Sequence, residues 1–471
     1  MRVLLLNPPS AGGVRVIREG RCMQRQDGWT AAWPPLSLAL CASVLRLAGF
    51  EVMLRDCVLE GIDFESLGRL IREYRPGLVV VNTATFTIEG DLSTARLAKE
   101  SFEGVRVAAM GIHVSVLPEE SFRIEPMLDY IVRGEPEETV RELALAIRDG
   151  REPSDVKGVS FRGEGGVKHN PDRPFIADLD GLPPPAWDLV NLDNYREPLS
   201  GERFLLVSPG RGCPFSCSFC ASKAYYGSRV RLRSPANIAD ELARDRDGFG
   251  VRDFLFWIES FTIDREFVMA LMEEIIRRRL DIRFICNSRV SDVDLEMFMK
   301  LREAGCWMIA LGIESGSQEI LDSMKKATLT SQAERAVSMA HQAGLKVAGH
   351  CIIGTPGETV ETIMQTMDLV RRIRPDYVQY YCCVPFPGSD LYREAREKGW
   401  INSDGWEGFE QGYSVMDLPT LSAGEVMKWR RKAFLDFYLS PGTVFRVLRE
   451  FSSFSRLKRL AGMVKDFFSW I

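Results

Sequence analysis

Cys213, Cys217 and Cys220 lie within one eight-residue stretch of Gly210-Arg211-Gly212-Cys213-Pro214-Phe215-Ser216-Cys217-Ser218-Phe219-Cys220. The C-x3-C-x2-C spacing puts three thiolates on one short loop. A structural zinc site takes four protein ligands. Neither a fourth cysteine nor any of the four histidines (His113, His169, His341, His350) is near this loop in the sequence. Three thiolates instead suit a cubane iron–sulfur cluster that leaves one iron open to an exogenous ligand. The remaining cysteines of the 11 mostly stand alone in apolar runs, where a thiol behaves as a small hydrophobe.

The elements that must position this loop are read from periodicity. From Phe204 to about Pro387, short apolar runs alternate with amphipathic stretches. Strands are expected at Phe204–Ser208, Phe254–Trp257, Arg283–Cys286, Met308–Leu311, Lys346–Ile353 and Tyr377–Cys383. Six such units are two short of a closed eightfold barrel, so an open barrel with a wide mouth is expected, its chemistry at the carboxyl ends of its strands. The cysteine loop follows the first of these strands. The first 150 residues show another βα alternation, with strands expected at Val3–Asn7, Glu51–Arg55, Leu78–Asn82, Val105–Met110 and Tyr130–Val132 and helices at Leu36–Leu47, Phe64–Tyr74, Leu92–Phe102 and Glu137–Arg148. Near-continuous apolar strands indicate a parallel sheet buried on both faces, with a ligand beyond its carboxyl edge.

The expected fold class is therefore α/β: an N-terminal doubly wound, Rossmann-like domain (1–150), then a linker (151–202) with three successive prolines at Pro183–Pro185, an open (β/α)6 partial TIM barrel (203–395) and a helical C-terminal region (396–471). Composition agrees: 471 residues at 45% hydrophobic can build several cores, and a net charge of −5 argues against nucleic acid held by bulk charge. No apolar run is long enough for a membrane span, the start does not read as a secretory signal, and the cysteine count is odd, so a cytoplasmic location is expected.

The segment CPFSCSFC, with an aromatic Phe219 before the last cysteine and a barrel strand ahead of it, resembles the radical S-adenosylmethionine (SAM) superfamily. The resemblance implies that Cys213, Cys217 and Cys220 hold a [4Fe–4S] cluster whose free iron is chelated by the amino and carboxylate groups of SAM. An electron, supplied by a donor such as flavodoxin or ferredoxin, then cleaves SAM to methionine and a 5′-deoxyadenosyl radical. It also implies SAM contacts at successive strand ends: Glu259 for the ammonium, Arg289 for the carboxylate, Glu314 for the ribose or amino group, and Gly354 and Gly357 in a Gly-rich loop under the adenine. Relatives usually carry two acidic residues at the second strand end; here Ile258 replaces one.

NPPSAGG, GIHVSVLPEE and RGEPEETVREL in the first domain, with the linker LDGLPPPAWDL, resemble the cobalamin-binding domain fused ahead of many radical SAM barrels. This implies cobalamin near Asn7, Gly111, His113, Gly134 and Glu135. The Asp-x-His-x-x-Gly motif that supplies an axial histidine elsewhere is absent, so cobalamin is expected without a protein histidine on cobalt. A rival member of the superfamily, a methylthiotransferase, would use Cys22, Cys41 and Cys57 for a second cluster.

Residues 441–471 carry six basic against two acidic side chains, with apolar and aromatic residues at roughly helical spacing. Such a helix can lie in a membrane interface or pack on the barrel. The reading as a whole is a cobalamin-dependent radical SAM enzyme that functionalises, by methylation, an unactivated carbon of an apolar small molecule such as a lipid, isoprenoid, hopanoid or tetrapyrrole. Oxidative ring closure or C–C bond formation, as in the anaerobic magnesium-protoporphyrin ester cyclase type, and a corrinoid or cluster sensor without turnover are the alternatives.

Overall fold

The computed structural model describes residues 1–19, 24–25 and 31–450. The first sheet contains β1 (Arg2–Asn7), β4 (Glu51–Asp56), β5 (Leu78–Asn82), β6 (Arg106–Met110) and β7 (Tyr130–Val132), with a short hairpin, β2 (Val16–Ile17) and β3 (Gln24–Arg25), between β1 and β4. The five sheet strands are parallel in the order β4-β1-β5-β6-β7, the flavodoxin-like arrangement whose switch point lies between β1 and β5. Along β1, Val3 and Leu5 enter one core while Leu4 and Leu6 enter the other, as strands covered by helices on both faces must. The covering helices are α1 (Leu36–Leu47), α2 (Phe64–Tyr74), α3 (Ile88–Ser101), the short α4 (Ile112–Val116) and α5 (Pro118–Ile124), and α6 (Pro136–Arg148).

Two differences from the sequence reading concern this domain. Beyond residue 150, β8 (Val159–Gly163) pairs antiparallel with β7 and β9 (Gly166–His169) pairs antiparallel with β8, so the sheet runs to His169. Helix α3 begins a turn earlier than its apolar periodicity indicates, because Asp91 accepts hydrogen bonds from Ala84 N and Thr87 Oγ1 and secures the first turn. The proline segment then lies against α1: Ala186 N donates to Ala39 O at 3.1 Å and Ser43 Oγ to Pro184 O at 2.5 Å, and Trp187 is buried.

The second sheet is the open barrel: β10 (Phe204–Val207), β13 (Asp253–Phe256), β14 (Arg283–Arg289), β15 (Cys306–Glu314), β16 (Lys346–Ile353) and β17 (Tyr377–Cys382), all parallel and in chain order. A two-stranded ribbon, β11 (Gly210–Arg211) and β12 (Arg231–Leu232), brackets the cysteine loop. Strands β14 and β15 run three residues past the expected ends, so Arg289 and Glu314 are the last residues of their strands. The connections carry α7 (Ser222–Tyr226), α8 (Pro235–Phe249), α9 (Arg265–Arg277), α10 (Leu295–Glu303), α11 (Gln318–Ser323), α12 (Thr330–Gln342) and α13 (Val360–Ile373); α14 (Asp390–Glu397), α15 (Ala423–Tyr438) and α16 (Pro441–Glu450) follow β17. No helix among the described residues is long and apolar enough to cross a membrane. The basic tail beyond residue 450, and Cys22, lie outside the described residues.

Strand register stacks the barrel's inward residues in levels. One level joins Asn287, Ala310, Ala348 and Tyr377; the next joins Arg289, Gly312, His350 and Gln379. Small residues on β15 and β16 facing aromatic ones elsewhere leave a cavity of about 230 Å³. Gln24, Ala31 and Trp33 of the N-terminal domain reach into its lining, and the Trp33 ring meets Trp257 edge-on at 4.5 Å.

Candidate active site

The cysteine loop is held by its backbone. Cys213 N donates to Gly227 O (3.2 Å), Ser218 N to Met324 O (2.9 Å) and Cys220 N to Cys217 O (3.1 Å), while Leu391 N donates to Ser218 O (2.9 Å). Gly212 turns the chain into the loop at φ 94°, where a Cβ would stand 2.2 Å from Arg229 O; only glycine fits. The three loop thiols are half-buried, whereas every other described cysteine is buried. Burial pushes the thiols of Cys41, Cys57, Cys286, Cys351, Cys382 and Cys383 up, which keeps them neutral packing groups. Cys41 and Cys57 lie in different cores of the first domain, so the two described members of the rival cysteine set do not come together.

Arg289 is buried beside the loop. Its Nη1 lies 3.7 Å from Cys217 Sγ, its guanidinium sits 3.6 Å from the centre of the Phe215 ring, and Nη2 donates to Lys326 O. It therefore sets a permanent positive charge against the cysteines, the sign that complements an anionic thiolate cluster. Among the described residues no three His, Cys, Asp or Glu side chains converge on a single ion. A cubane takes one thiolate on each of three irons and needs no such point. The donor set, one loop of half-buried thiols with a buried cation beside it, fits a cluster.

Glu314 ends β15 after a register shift against β16 and takes φ 61°, an uncommon backbone for a non-glycine residue. The irregularity turns its carboxylate to the buried ammonium of Lys326. Glu259 Oε2 accepts from Gly212 N at 3.1 Å, which ties the end of β13 to the cysteine loop. Gly354 N (2.5 Å) and Thr355 N (3.2 Å) donate to Glu358 Oε2, and burial raises the Glu358 carboxyl to about 7. Gly354 has φ 87° and a Cβ there would meet Val426 at 2.8 Å; Gly357 has φ 85° with open space above it. Phe219 packs against the cluster of Ile320, Met324, Ile352 and Cys383. Thus Phe219, Arg289, Glu314 and the cysteines share one region. Lys326, which links Glu314 to Arg289, was invisible in the strand-end motifs because it follows α11 in a loop.

At the carboxyl edge of the first sheet, Asn7 Nδ2 donates to Asp56 Oδ2 (3.0 Å), Asn82 Nδ2 to Asn7 Oδ1 (3.1 Å) and Tyr195 OH to Asp56 Oδ2 (3.0 Å). Gly111 has φ 126°, and a Cβ there would lie 2.8 Å from Thr83 O. His113 is buried with its ring edge-on to Trp406 at 4.7 Å. Burial lowers its imidazolium to about 3, and neither ring nitrogen has a hydrogen-bond partner among the described residues. Such orphaned buried atoms at a sheet's ligand edge fit a bound molecule there. Gly134 N donates to Ser115 Oγ at 3.1 Å. Glu135 points into the interface between the sheets: its carboxylate lies 2.8 Å from Arg231 and 3.3 Å from Arg211, and Arg211 also pairs with Glu137 at 2.5 Å. Arg211 stands two residues ahead of Cys213. A buried ionic network thus joins the start of α6 to the cysteine loop.

The comparisons with known proteins agree with this geometry. Residues 207–370 match the Radical SAM superfamily and residues 30–144 the B12 binding domain. An uncharacterized methyltransferase of Pyrococcus horikoshii is 31% identical over 468 residues, covering 99% of each chain. The anaerobic magnesium-protoporphyrin IX monomethyl ester cyclase of Rubrivivax gelatinosus is 28% identical over 454 residues, covering 93% of this chain and 79% of its own. The solved structure of the methyltransferase TsrM from Kitasatospora setae, with cobalamin and a [4Fe–4S] cluster bound, superposes with a TM-score of 0.70 at 20% identity, covering 100% of this chain and 89% of that one. The chain belongs to the radical SAM enzymes that carry a cobalamin-binding domain, a family of methyltransferases and cyclases whose cofactors are a [4Fe–4S] cluster, SAM and cobalamin.

Proposed function

We propose that the protein methylates an unactivated carbon of an apolar small molecule bound in the barrel cavity. The observation that carries this reading is the cavity itself, walled by Trp33, Phe254, Trp257, Trp307, Tyr377 and Tyr381 beneath the strand ends that bear Arg289 and Glu314. Aromatic walls with few polar groups suit a flat or polycyclic apolar substrate.

Cys213, Cys217 and Cys220 would hold the cluster, with Glu259, Arg289, Glu314, Gly354 and Gly357 around SAM and Gly111, His113 and Gly134 toward the corrinoid. When bound, these groups supply a hydrogen-abstracting carbon radical and a transferable methyl group. The chain's own part is placement. Arg289 and the backbone bonds of the loop fix the cysteines. The Glu314–Lys326 pair presets charge at the barrel mouth. The aromatic walls orient the substrate carbon and keep water away from reactive species. An electron donor such as flavodoxin or ferredoxin would dock outside this region.

Oxidative ring closure is the second reading, favoured by the similarity to the Rubrivivax cyclase across 93% of this chain. Product mass separates the two. Turnover with methyl-deuterated SAM should give a product carrying the deuterated methyl group. A product lacking the label and poorer in hydrogen than its precursor would replace methylation by ring closure.

A further inference from the structure

The barrel cavity is mainly apolar; its described lining also holds Gln24, Glu197, Asp253, Asn287, His350 and Gln379, and two of these amides keep an unpartnered oxygen. Asn287, on β14, donates through Nδ2 to Ile258 O at 2.7 Å and to Glu259 O at 3.1 Å. Both donor positions are used, so the orientation of this carboxamide is fixed and Oδ1 must face the other way. That oxygen is buried and has no hydrogen-bond partner among the described residues. On β17, the Gln379 Oε1 is likewise buried and without a partner among the described residues. Both residues line the same cavity.

Register places them in adjacent levels of the barrel wall. Asn287 pairs with Ala310, and Ala310 with Ala348; Gln379 pairs with His350 one level nearer the mouth. Ala310 and Ala348 carry only a methyl group each, so the wall between the two amides leaves room for a ligand. Folded proteins seldom leave a buried carbonyl oxygen without a donor, since the lost hydration is not recovered. Two in one cavity are acceptors arranged for something that enters it.

We propose that Asn287 Oδ1 and Gln379 Oε1 select the substrate, accepting hydrogen bonds from a hydroxyl or N–H donor on an otherwise apolar molecule. This rests on the reading of the cavity as the substrate site. A hydrocarbon of the same shape would desolvate both oxygens and return nothing, so a donor-bearing substrate is favoured over its donor-free analogue.

Calorimetric titration of the full chain with two matched pairs tests this. Geraniol and geranyl methyl ether probe a hydroxyl donor; indole and N-methylindole probe an N–H donor. In at least one pair the donor should bind about tenfold more tightly than its methylated partner. The pair that shows this identifies the donor type. The Gln379→Met variant should shrink that ratio to about threefold or less, leaving the methylated partner's affinity unchanged. Equal affinities within both pairs of the unaltered protein, a preference for the methylated partner, or a ratio that Gln379→Met leaves intact would overturn the inference. The comparison within the unaltered protein stands even if the variant fails to fold. Absence of binding by all four probes would be a different failure, since it would remove the cavity as an apolar substrate site.

Discussion

Single residues carry the chemistry, and the most local of them were the most legible. The C-x3-C-x2-C loop is complete within one stretch of chain, so its chemistry could be read before any fold was known. Replacing Cys213, Cys217 and Cys220 together by Ala should abolish the broad visible absorbance of the reconstituted cluster and the reductive cleavage of SAM; cleavage that survived would place the cluster elsewhere. Lys326 and Glu358 were not legible in the same way. Their meaning comes from burial, with Lys326 against Glu314 and Glu358 under its own loop. For Glu358 burial has a pH consequence. Its folded-state value of about 7 lies above the ordinary 4.5, so the native state binds more protons than the unfolded chain between these values. The resulting stability is full below the ordinary value and is lost as pH rises through about 7. Glu358→Gln keeps the backbone acceptor and removes the ionisation. Relative to its own stability at pH 5, the variant should therefore be about 2–3 kcal/mol better off at pH 8 than the unaltered protein, measured by urea unfolding.

Elements set where those residues meet. Alternation of apolar runs located the strands of both sheets, because a parallel sheet buried on both faces leaves a strong signature. It under-read the strand ends at Asn287–Arg289 and Gly312–Glu314, where polar and small residues face the site and the apolar pattern stops while the ladder continues. It also missed what joins the two domains. Arg211 reads as part of the cysteine motif and Glu135 as part of a corrinoid loop, yet both belong to one buried network with Glu137 and Arg231. Ion pairs between residues 74 positions apart, as in Arg211–Glu137, leave no periodic trace. Removing one charge strands the others in low dielectric, so Arg211→Met should destabilise the protein by about 3 kcal/mol. Arg211→Met combined with Glu137→Met should recover much of that loss, as measured by denaturant midpoints. An additive loss in the double variant would show the two residues to be uncoupled.

At the scale of the molecule, the first domain and the barrel make one working unit. Trp33 stacks edge-on against Trp257 of the barrel, and Glu410, beyond the barrel, pairs with Arg25 of the N-terminal hairpin at 3.8 Å. Trp406 covers His113 and donates to Glu120 at 3.0 Å. On the proposed reading, a corrinoid at the sheet edge would meet a surface built from the first domain and from the segment that follows the barrel. Hydroxocobalamin at about 100 times its dissociation constant should raise unfolding stability by about 2.7 kcal/mol. The gain should register in the loss of cluster absorbance as well as in far-ultraviolet circular dichroism. Stabilisation seen by circular dichroism alone would show the domains to unfold separately.

The central claim, a cobalamin-dependent radical SAM methylase of an apolar molecule, is tested most directly by one reaction. The anaerobically reconstituted chain, loaded with cluster and hydroxocobalamin, is mixed with methyl-deuterated SAM, a low-potential reductant and an organic extract of cells of the source organism, and the products are resolved by mass spectrometry. The account predicts 5′-deoxyadenosine together with an organic-phase product bearing the deuterated methyl group, both absent when the three loop cysteines are replaced. An intact cluster that yields neither product would contradict it.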